Sequence, residues 1–287
     1  MLKTGTGTVL IEKAVIPAAG LGSRMLPITK SIPKEMLPAG RKPMIQLAVE
    51  EAVASGVRRV CIVIREGKEI IRDYFCARQP KERKRDASID ELEKLGEECE
   101  LSFVYQHRPL GLGDALLQAR EFVAGEPFVL MMPDQFMRSS VPATLQLTRR
   151  WTASSSQPHV LSSLMRVAKD ELPFFAGARG VEIESALGAD EFVLGRLQTE
   201  EETRAAYRDH THELRGFGRT IYPPEIFDYL GEDYVNPATG EIDLWRTFEA
   251  SAGRIAHRGI VVEGAPVDMG TFEGYYHYLP RFRETGA

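Results

Sequence analysis

The first half of the chain alternates short apolar runs with segments of helical periodicity. The apolar runs predict β-strands over residues 14–17, 59–64, 101–105 and 128–132. Between these runs, apolar side chains recur at helical spacing over residues 43–55, 68–75 and 113–123. Residues 80–98 are strongly charged and predict a solvated helical excursion. The unbroken apolar run 128–132 is typical of a strand in the middle of a parallel sheet.

The second half is less regular. It predicts strands near residues 159–166, 181–184, 192–197 and 214–221, and helices at 224–230, 242–252 and 275–282. The β-α alternation up to about residue 150 indicates the α/β class, with a doubly wound, mostly parallel sheet and right-handed crossovers. We expect a single domain over residues 1–287, with a change of role near residue 150.

Composition and charge narrow the class of protein. The 287 residues are 43% hydrophobic and 27% charged, which is typical of a globular chain. The net charge of -5 argues against a nucleic-acid partner bound through phosphate neutralisation. No apolar stretch approaches the ~20 residues of a membrane span, and residues 1–8 lack the apolar core of a signal peptide. Because Cys61, Cys76 and Cys99 form no C-x-x-C pair, we expect a reducing, cytoplasmic location.

A loop rich in glycine and cations follows the first predicted strand. Gly20 and Gly22 let backbone N–H groups approach an anion, and Arg24, Lys30 and Lys34 follow them. The run is not a dinucleotide fingerprint, because Met stands at position 25 where the third glycine would be. It is not a P-loop, since no Gly-Lys-Ser/Thr ends it. The pattern predicts a cradle for several phosphates.

Two further residues suit a nucleotide site by type and position. Asp134 follows the apolar strand 128–132, where open α/β sheets bind ligands, and it suits Mg²⁺ as well as it suits a turn or a helix cap. Gln106 carries an amide that matches a uracil or thymine edge, although on its own it is better explained as a polar residue at a strand end.

The whole string from Gly20 to Pro38, with Pro33-Lys34-Glu35 inside it, resembles the signature of the sugar-1-phosphate nucleotidyltransferases. It is most similar to the bacterial branch that joins UTP to glucose 1-phosphate. The resemblance implies a Rossmann-like fold with a small sugar-binding subregion, residues 11–150 holding the nucleotide and 151–287 the sugar. It also implies that the chain transfers a uridylyl group and assembles as a homo-oligomer, a dimer or tetramer.

The same resemblance assigns roles by position. Arg24, Lys34 and Asp134 would be catalytic, and Asp134 with Asp268, in an Asp-x-Gly-Thr-x-Glu-Gly-Tyr string, would hold Mg²⁺. Nucleotide contacts would come from Ala18, Ala19, Gly20, Gly22, Ser23, Glu35, Gln106 and Gly111. Gly218 and Glu241 would contact the sugar, although Glu241 also suits the start of a helix for purely structural reasons.

One element of the family pattern is missing. Relatives carry a Glu-Lys-Pro string whose lysine contacts the sugar phosphate, and the corresponding stretch here, 193–200, offers Arg196 or Gln198 instead. We therefore take Arg196 as the candidate sugar-phosphate contact. Loss of a charge-assisted phosphate contact costs about 2–4 kcal/mol of transition-state stabilisation.

This departure leaves two other functions open. One is a nucleotide-binding or regulatory homologue with weakened turnover. The other is a thymidylyl or cytidylyl transferase, although Glu35 stands where thymidylyl-transferring relatives usually carry Gln.

Overall fold

The computed structural model describes residues 10–77, 87–153, 159–175 and 177–283. Its strands are β1 (Lys13–Pro17), β2 (Pro38–Ala39), β3 (Lys42–Pro43), β4 (Arg59–Ile64), β5 (Glu100–Tyr105), β6 (Phe128–Met131), β7 (Gln135–Arg138), β8 (His159–Ala168), β9 (Gly180–Ala186), β10 (Glu191–Gln198), β11 (His212–Tyr222), β12 (Ala256–Val261) and β13 (Ala265–Asp268). Its α-helices are α1 (Met44–Ala54), α2 (Glu69–Cys76), α3 (Ala87–Glu98), α4 (Gly111–Gln118), α5 (Arg120–Val123), α6 (Ala143–Ala153), α7 (Glu200–Ala206), α8 (Leu244–Ser251) and α9 (Phe272–Arg283).

Strands from both halves of the chain form one central sheet. Among the described residues its order is β5-β4-β1-β6-β11-β8-β12-β10-β9. The strands β5, β4, β1 and β6 are parallel, as the β-α alternation predicts. Beyond β6 the sheet is mixed, because β11 runs antiparallel to both β6 and β8, whereas β12 is parallel to β8. The α/β, Rossmann-like fold class is confirmed.

Helices cover both faces of the parallel part. Side chains alternate along β1, so that Ala14 and Ile16 pack in one apolar layer and Val15 packs in the other. The first layer includes Ala48 of α1, and the second includes Leu116 of α4. Two apolar layers around one sheet explain why β4 reads as an unbroken hydrophobic run.

Most strand and helix predictions are confirmed to within a few residues. The helix expected over 113–123 is two shorter helices, α4 and α5, and the one expected over 224–230 is a 3-10 segment, Pro224–Tyr229. Of the excursion at 80–98, residues 87–98 form α3, and the part before residue 87 lies outside the described residues. The patterns missed β7, β12, β13, α6 and α7.

The cleft of the molecule lies at the carboxyl ends of the parallel strands. Pro17 ends β1, Gln106 follows β5 and Met132 follows β6, so the carboxyl ends of these parallel strands lie together. A cleft of about 280 Å³ opens there. No helix in the described ranges is both long and apolar enough to span a membrane.

Candidate active site

Eight of the residues singled out by sequence line this cleft. They are Ala19, Gly20, Ser23, Lys34, Glu35, Gln106, Gly111 and Glu241. They come from the loop after β1, the end of β5, the start of α4 and the segment before α8. The structure therefore brings together residues that are more than two hundred positions apart in the sequence.

The two loop glycines serve different purposes. A Cβ on Gly20 would have no atom within 4 Å, so the absent side chain leaves open space at the cleft. Gly22 has φ +67°, and a Cβ there would lie 3.0 Å from the Cβ of Thr29. The Thr29 hydroxyl donates a hydrogen bond of 2.8 Å to the Gly22 carbonyl and closes the turn. Gly20 thus provides access, whereas Gly22 is needed for the turn itself.

Gln106 lies at the inner end of the cleft with its amide orientation fixed. Its Nε2 donates to the Gly111 carbonyl at 2.9 Å and to the Asp114 Oδ2 at 2.8 Å. Because both partners are acceptors, the NH₂ group must face them, and Oε1 is the atom left for a ligand. The Gln106 side chain consequently presents an acceptor and no donor.

The Lys34 ammonium contacts the Asp134 carboxylate directly. Nζ lies 2.5 Å from Oδ2, and both side chains are largely buried. Burial opposes charge on Lys34, but the nearby Asp134 and Glu35 carboxylates outweigh it, and the pKa of Lys34 is raised. Burial likewise opposes charge on Asp134, yet Lys34, and to a lesser extent Arg24, lower the pKa of Asp134. Both groups of the pair are therefore charged at neutral pH.

Asp134 and Asp268 face each other across Gly270. A Cβ on Gly270 would lie 2.6 Å from Asp134 Oδ2 and 3.1 Å from Asp268 Oδ1. Asp268 accepts hydrogen bonds from the Gly270 amide at 2.9 Å and from Gln135 Nε2 at 2.8 Å. Burial and then the charge of Asp134 raise the pKa of Asp268 to about 6. Two buried carboxylates that repel each other form a place suited to a cation.

The pairing of two short strands explains how these distant residues meet. β13 runs antiparallel to β7, with Asp268 opposite Gln135. The Met269 amide donates to the Asp134 carbonyl at 2.8 Å. At the start of α9, Tyr275 donates to the Pro38 carbonyl at 2.8 Å, which ties the Asp268 segment to the loop of Lys34.

Glu35 is buried beneath the cleft in a second ion pair. Its Oε2 lies 2.9 Å from Lys68 Nζ, which also donates to the Ala18 carbonyl at 2.6 Å. Glu35 Oε1 is buried and accepts no hydrogen bond from the described part of the chain. Lys68 thereby joins the end of β1 to the Lys34 loop, and Glu35 is one of the residues that line the cleft.

Glu241 reaches the cleft because its segment docks on the start of α4. The Ile242 amide donates to the Leu110 carbonyl, and the Gly113 amide donates to the Ile242 carbonyl, both at 2.8 Å. Gly111 has φ +88°, and a Cβ there would lie 2.8 Å from the Glu241 Cβ. Two glycines of α4 therefore leave the room in which Glu241 sits.

Arg24 is exposed at the edge of the same region. Its guanidinium lies against the backbone of Gly177, where a Cβ would come within 2.9 Å of Nη1. The charge of Arg24 helps to lower the pKa of Asp134 and opposes part of the rise in the pKa of Asp268. It is thus close enough to act on the same anion as Lys34 and the two aspartates.

Comparison with known proteins agrees with this geometry. The model of the nucleotidyl transferase family matches residues 13–171. A UTP–glucose-1-phosphate uridylyltransferase of Streptococcus pyogenes is 36% identical over 241 residues, which is 82% of this chain and 76% of that protein. The chain belongs to the nucleotidyl transferase family.

Solved structures of nucleotidyl transferases share the whole fold. A UDP-glucose pyrophosphorylase crystallised with UDP-glucose superposes with a TM-score of 0.81 at 28% identity, covering 96% of this chain and 99% of that one. An apo UDP-glucose pyrophosphorylase gives a TM-score of 0.82 at 27% identity, covering 97% and 100%. The likeness therefore extends through the second half, beyond the residues that the family model matches.

Two sugar-contact predictions are not supported by this nucleotidyl transferase structure. Arg196 is exposed in β10, bonded to Glu182 at 3.2 Å and to Glu202 at 2.6 Å, and it does not line the cleft. Its ion pairs with these two acids hold the guanidinium away from the cleft, in a part of β10 whose pairing with β9 is irregular. Gly218 does not face open space either, because a Cβ there would lie 2.6 Å from the Cβ of Met132.

Sequence reasoning missed three polar residues around the site. Lys68 follows the end of β4, and Gln135 stands next to Asp134, so their positions at strand ends are a usable signal. Arg219 lies inside β11, fully buried, and contacts the turn of Asp134 through its guanidinium. A charged residue within an apolar strand pattern is the signal for Arg219.

Proposed function

We propose that this protein transfers a uridylyl group from UTP to a sugar 1-phosphate, with glucose 1-phosphate as the first candidate, and releases pyrophosphate. The observation on which the proposal depends is the cluster of Lys34, Asp134 and Asp268 beside the cleft that Gln106 and Gly20 line. The name of the uridylyltransferase that is 36% identical supports the same reaction.

The fixed amide of Gln106 supports the choice of base. Uracil and thymine carry an N3–H donor that can bind an acceptor, whereas cytosine carries no proton at N3. Since the Gln106 NH₂ is used by Gly111 and Asp114, an Oε1 that meets position 3 of the base would favour UTP or dTTP over CTP, because cytosine has an acceptor at N3 and its donor is the 4-amino group. The uridylyltransferase relatives favour UTP of these two.

Mg²⁺ is the cation that we propose for Asp134 and Asp268. Hard oxygen ligands suit Mg²⁺, which commonly takes one or two carboxylates together with phosphate oxygens. Burial and then the charge of Asp134 raise the pKa of Asp268 to about 6, and a divalent cation would stabilise both charged carboxylates. When bound, the ion would neutralise charge on the reacting phosphates.

The residues of this chain would bind and orient the two substrates and neutralise the charge on their phosphates. A phosphate oxygen of the sugar 1-phosphate attacks the α-phosphorus of UTP, and the bond to the β-phosphate breaks, so no covalent protein intermediate is needed. The protonated Lys34 would neutralise charge at the α-phosphate, and Arg24 would bind the leaving β- and γ-phosphates. The backbone at Gly20 and Ser23 lines the cleft and would cradle the triphosphate. Glu241 is the group available to the sugar hydroxyls.

One observation favours a second candidate, a nucleotide-binding homologue with weak turnover. In the described ranges of the chain, no Lys or Arg of β10 lines the cleft, and Arg196 is held by Glu182 and Glu202. Without a cation in place of the family lysine, the reaction would lose about 2–4 kcal/mol of transition-state stabilisation, which is roughly 30- to 900-fold in rate.

A pyrophosphate-release assay separates these functions. UTP, dTTP and CTP are each offered with glucose 1-phosphate and other sugar 1-phosphates in the presence of Mg²⁺. We expect turnover with UTP, and Asp134→Asn should reduce kcat by at least a hundredfold while UTP still binds. Tight UTP binding without turnover on any sugar would favour the second candidate, and preference for CTP would exclude the role given to Gln106.

A further inference from the structure

The turn that carries Asp134 is held from behind by one buried side chain. Arg219, at 0% exposure, donates from Nη1 to the Met132 carbonyl and from Nη2 to the Gln135 carbonyl, each at 2.9 Å. These two carbonyls lie on either side of Asp134 in the chain. A single guanidinium therefore fixes both ends of the segment that presents the carboxylate to Lys34.

Every N–H of this guanidinium has an acceptor. Nε donates to Glu51 Oε1 at 2.9 Å, Nη2 also donates to Glu51 Oε2 at 2.6 Å, and Nη1 also donates to the Gly218 carbonyl at 2.8 Å. Three carbonyls and one carboxylate thus use all five donors that an arginine has. A lysine has three donors at one point and could not reproduce this arrangement.

Glu51 anchors the arginine to the helical layer. Glu51 belongs to α1, and its Oε1 also accepts hydrogen bonds from the Thr144 hydroxyl at 2.7 Å and the Thr144 amide at 3.1 Å in α6. Burial opposes charge on Glu51, but Arg219 outweighs it and lowers the pKa of Glu51. The pair therefore stays ionised and links α1 and α6 to the centre of the sheet.

The same turn also orients the second aspartate. Gln135, whose carbonyl Arg219 holds, donates its side-chain amide to Asp268 Oδ2 at 2.8 Å. The absent side chain of Gly218 leaves room for this packing, because a Cβ there would lie 2.8 Å from Gln135 Oε1. Movement of the turn would consequently displace both carboxylates.

We propose that Arg219 is a positioning residue, which with Glu51 holds the Met132–Gln135 turn so that Asp134 and Asp268 face one cation. The inference rests on the proposed function only for the role of the cation in the reaction. A buried ion pair adds little net stability compared with apolar side chains of similar volume. The Arg219–Glu51 pair therefore fixes the geometry of the turn rather than adding stability.

The matched pair of variants is Arg219→Lys and Arg215→Lys. Arg215 lies four residues earlier in β11, is 3% exposed, is paired with Glu200 and Glu213, and donates to the Ala178 carbonyl. Both substitutions shorten a buried, paired arginine in the same strand, but only Arg219 contacts the Asp134 turn. If replacing any buried, paired arginine weakens Mn²⁺ binding, the loss will therefore appear in both variants.

Mn²⁺ binding followed by electron paramagnetic resonance is the first measurement, with Asp134→Asn as the blank. We expect Arg219→Lys to weaken Mn²⁺ binding at least fivefold and to raise the Mg²⁺ concentration for half-maximal turnover by a similar factor. Arg215→Lys should leave both quantities within twofold of the wild-type values. Equal effects of the two lysine variants would overturn the inference.

A crystal structure of Arg219→Lys provides a readout that needs no metal or turnover. We expect the Asp134 carboxylate to leave Lys34, and an Asp134 that keeps its place would overturn the inference. If Arg219→Lys does not fold, Glu51→Gln is measured in its stead, and it should weaken Mn²⁺ binding at least threefold where Arg215→Lys does not. If the wild-type protein showed no turnover but its Mn²⁺ binding still depended on Arg219, the proposed function would be contradicted. The inference about Arg219 would stand.

Discussion

Gly20 shows how one missing side chain can matter to a ligand and not to the fold. Gly20→Ala should leave the free energy of unfolding within about 0.5 kcal/mol, because nothing lies within 4 Å of the new Cβ and the backbone φ is not positive. The methyl group would occupy the cleft, so we expect the KM for UTP to rise at least tenfold. Steady-state kinetics and urea unfolding measure the two effects.

Gly188→Ala is the matched control for this substitution. Gly188 lies in the turn between β9 and β10, and a Cβ there also has no atom within 4 Å. It should change neither KM nor stability. A Gly20→Ala enzyme with an unchanged KM for UTP would remove the loop from the nucleotide site.

Asp268→Asn should increase the stability of the metal-free protein and decrease its turnover. The carboxylate is buried beside Asp134, and its raised pKa means that its charge destabilises the fold at neutral pH. Without metal at pH 7.5, removal of that charge should stabilise the protein by about 1–3 kcal/mol, since each pKa unit corresponds to about 1.4 kcal/mol. Turnover should fall at least a hundredfold.

Thermal unfolding with EDTA and with Mg²⁺ measures the change in stability of Asp268→Asn. Mg²⁺ should raise the Tm of the wild type more than that of Asp268→Asn, because ligand binding to the folded state stabilises it. Asp268→Leu, which also removes the charge, separates charge relief from the hydrogen bonds of Gln135 and Gly270. A destabilised Asp268→Asn protein would show that these hydrogen bonds outweigh the repulsion.

At the scale of single residues, motif strings predicted contacts better than isolated residues did. The strings around Lys34, Asp134 and Asp268 name residues that the structure brings together. Arg196 matches the family lysine only in its charge and its place in the chain, and the acids Glu182 and Glu202 hold it elsewhere. The Arg219–Glu51 pair spans 168 positions, and nothing in either local sequence indicates the other.

At the scale of elements, the docking of the Glu241 segment on α4 depends on Gly113. A Cβ on Gly113 would lie 2.5 Å from the Ile242 carbonyl oxygen. Gly113→Ala should therefore displace Glu241, raise the KM for the sugar 1-phosphate several-fold and destabilise the fold by about 1–3 kcal/mol, as overpacking does. Kinetics with each substrate varied in turn, together with urea unfolding, measure these effects.

Gly96→Ala supplies the control within another helix. Gly96 lies inside α3, and its Cβ would meet nothing within 4 Å. This substitution should stabilise the protein by about 0.5–1 kcal/mol through helix propensity alone. If both alanine variants were stabilised and KM did not move, the docking contact would not position Glu241.

Element predictions succeeded where burial on both faces or a clear period made the pattern strong. β1, β4 and β6 are such strands. β7 and β13 have four residues each and, within the described part of the chain, pair only with one another, so no period could develop in either sequence. These two weak elements are nevertheless the ones that bring Asp268 to Asp134, because their contact is set by the rest of the fold.

At the scale of the whole molecule, two buried groups give opposite dependences of stability on pH. Asp268 has its pKa raised from 3.8 to about 6, so the folded state binds more protons than the unfolded state, and stability falls as the pH rises from about 4 to 6. Burial lowers the pKa of His257 from 6.5 to about 4, so there the unfolded state binds more protons. The contribution of His257 therefore rises over nearly the same window.

The two slopes should largely cancel in the metal-free wild type, and single variants should reveal each of them. Asp268→Asn should lose stability steeply as the pH falls from about 6.5 to 4, by up to about 3 kcal/mol, because the His257 dependence is then no longer opposed by that of Asp268. His257→Gln, whose amide can still bond the Ser251 hydroxyl, should instead gain stability on acidification to about pH 4. Urea unfolding with EDTA at half-unit pH steps measures all three proteins. Parallel profiles for the wild type and both variants would show that neither group titrates differently in the folded and unfolded states.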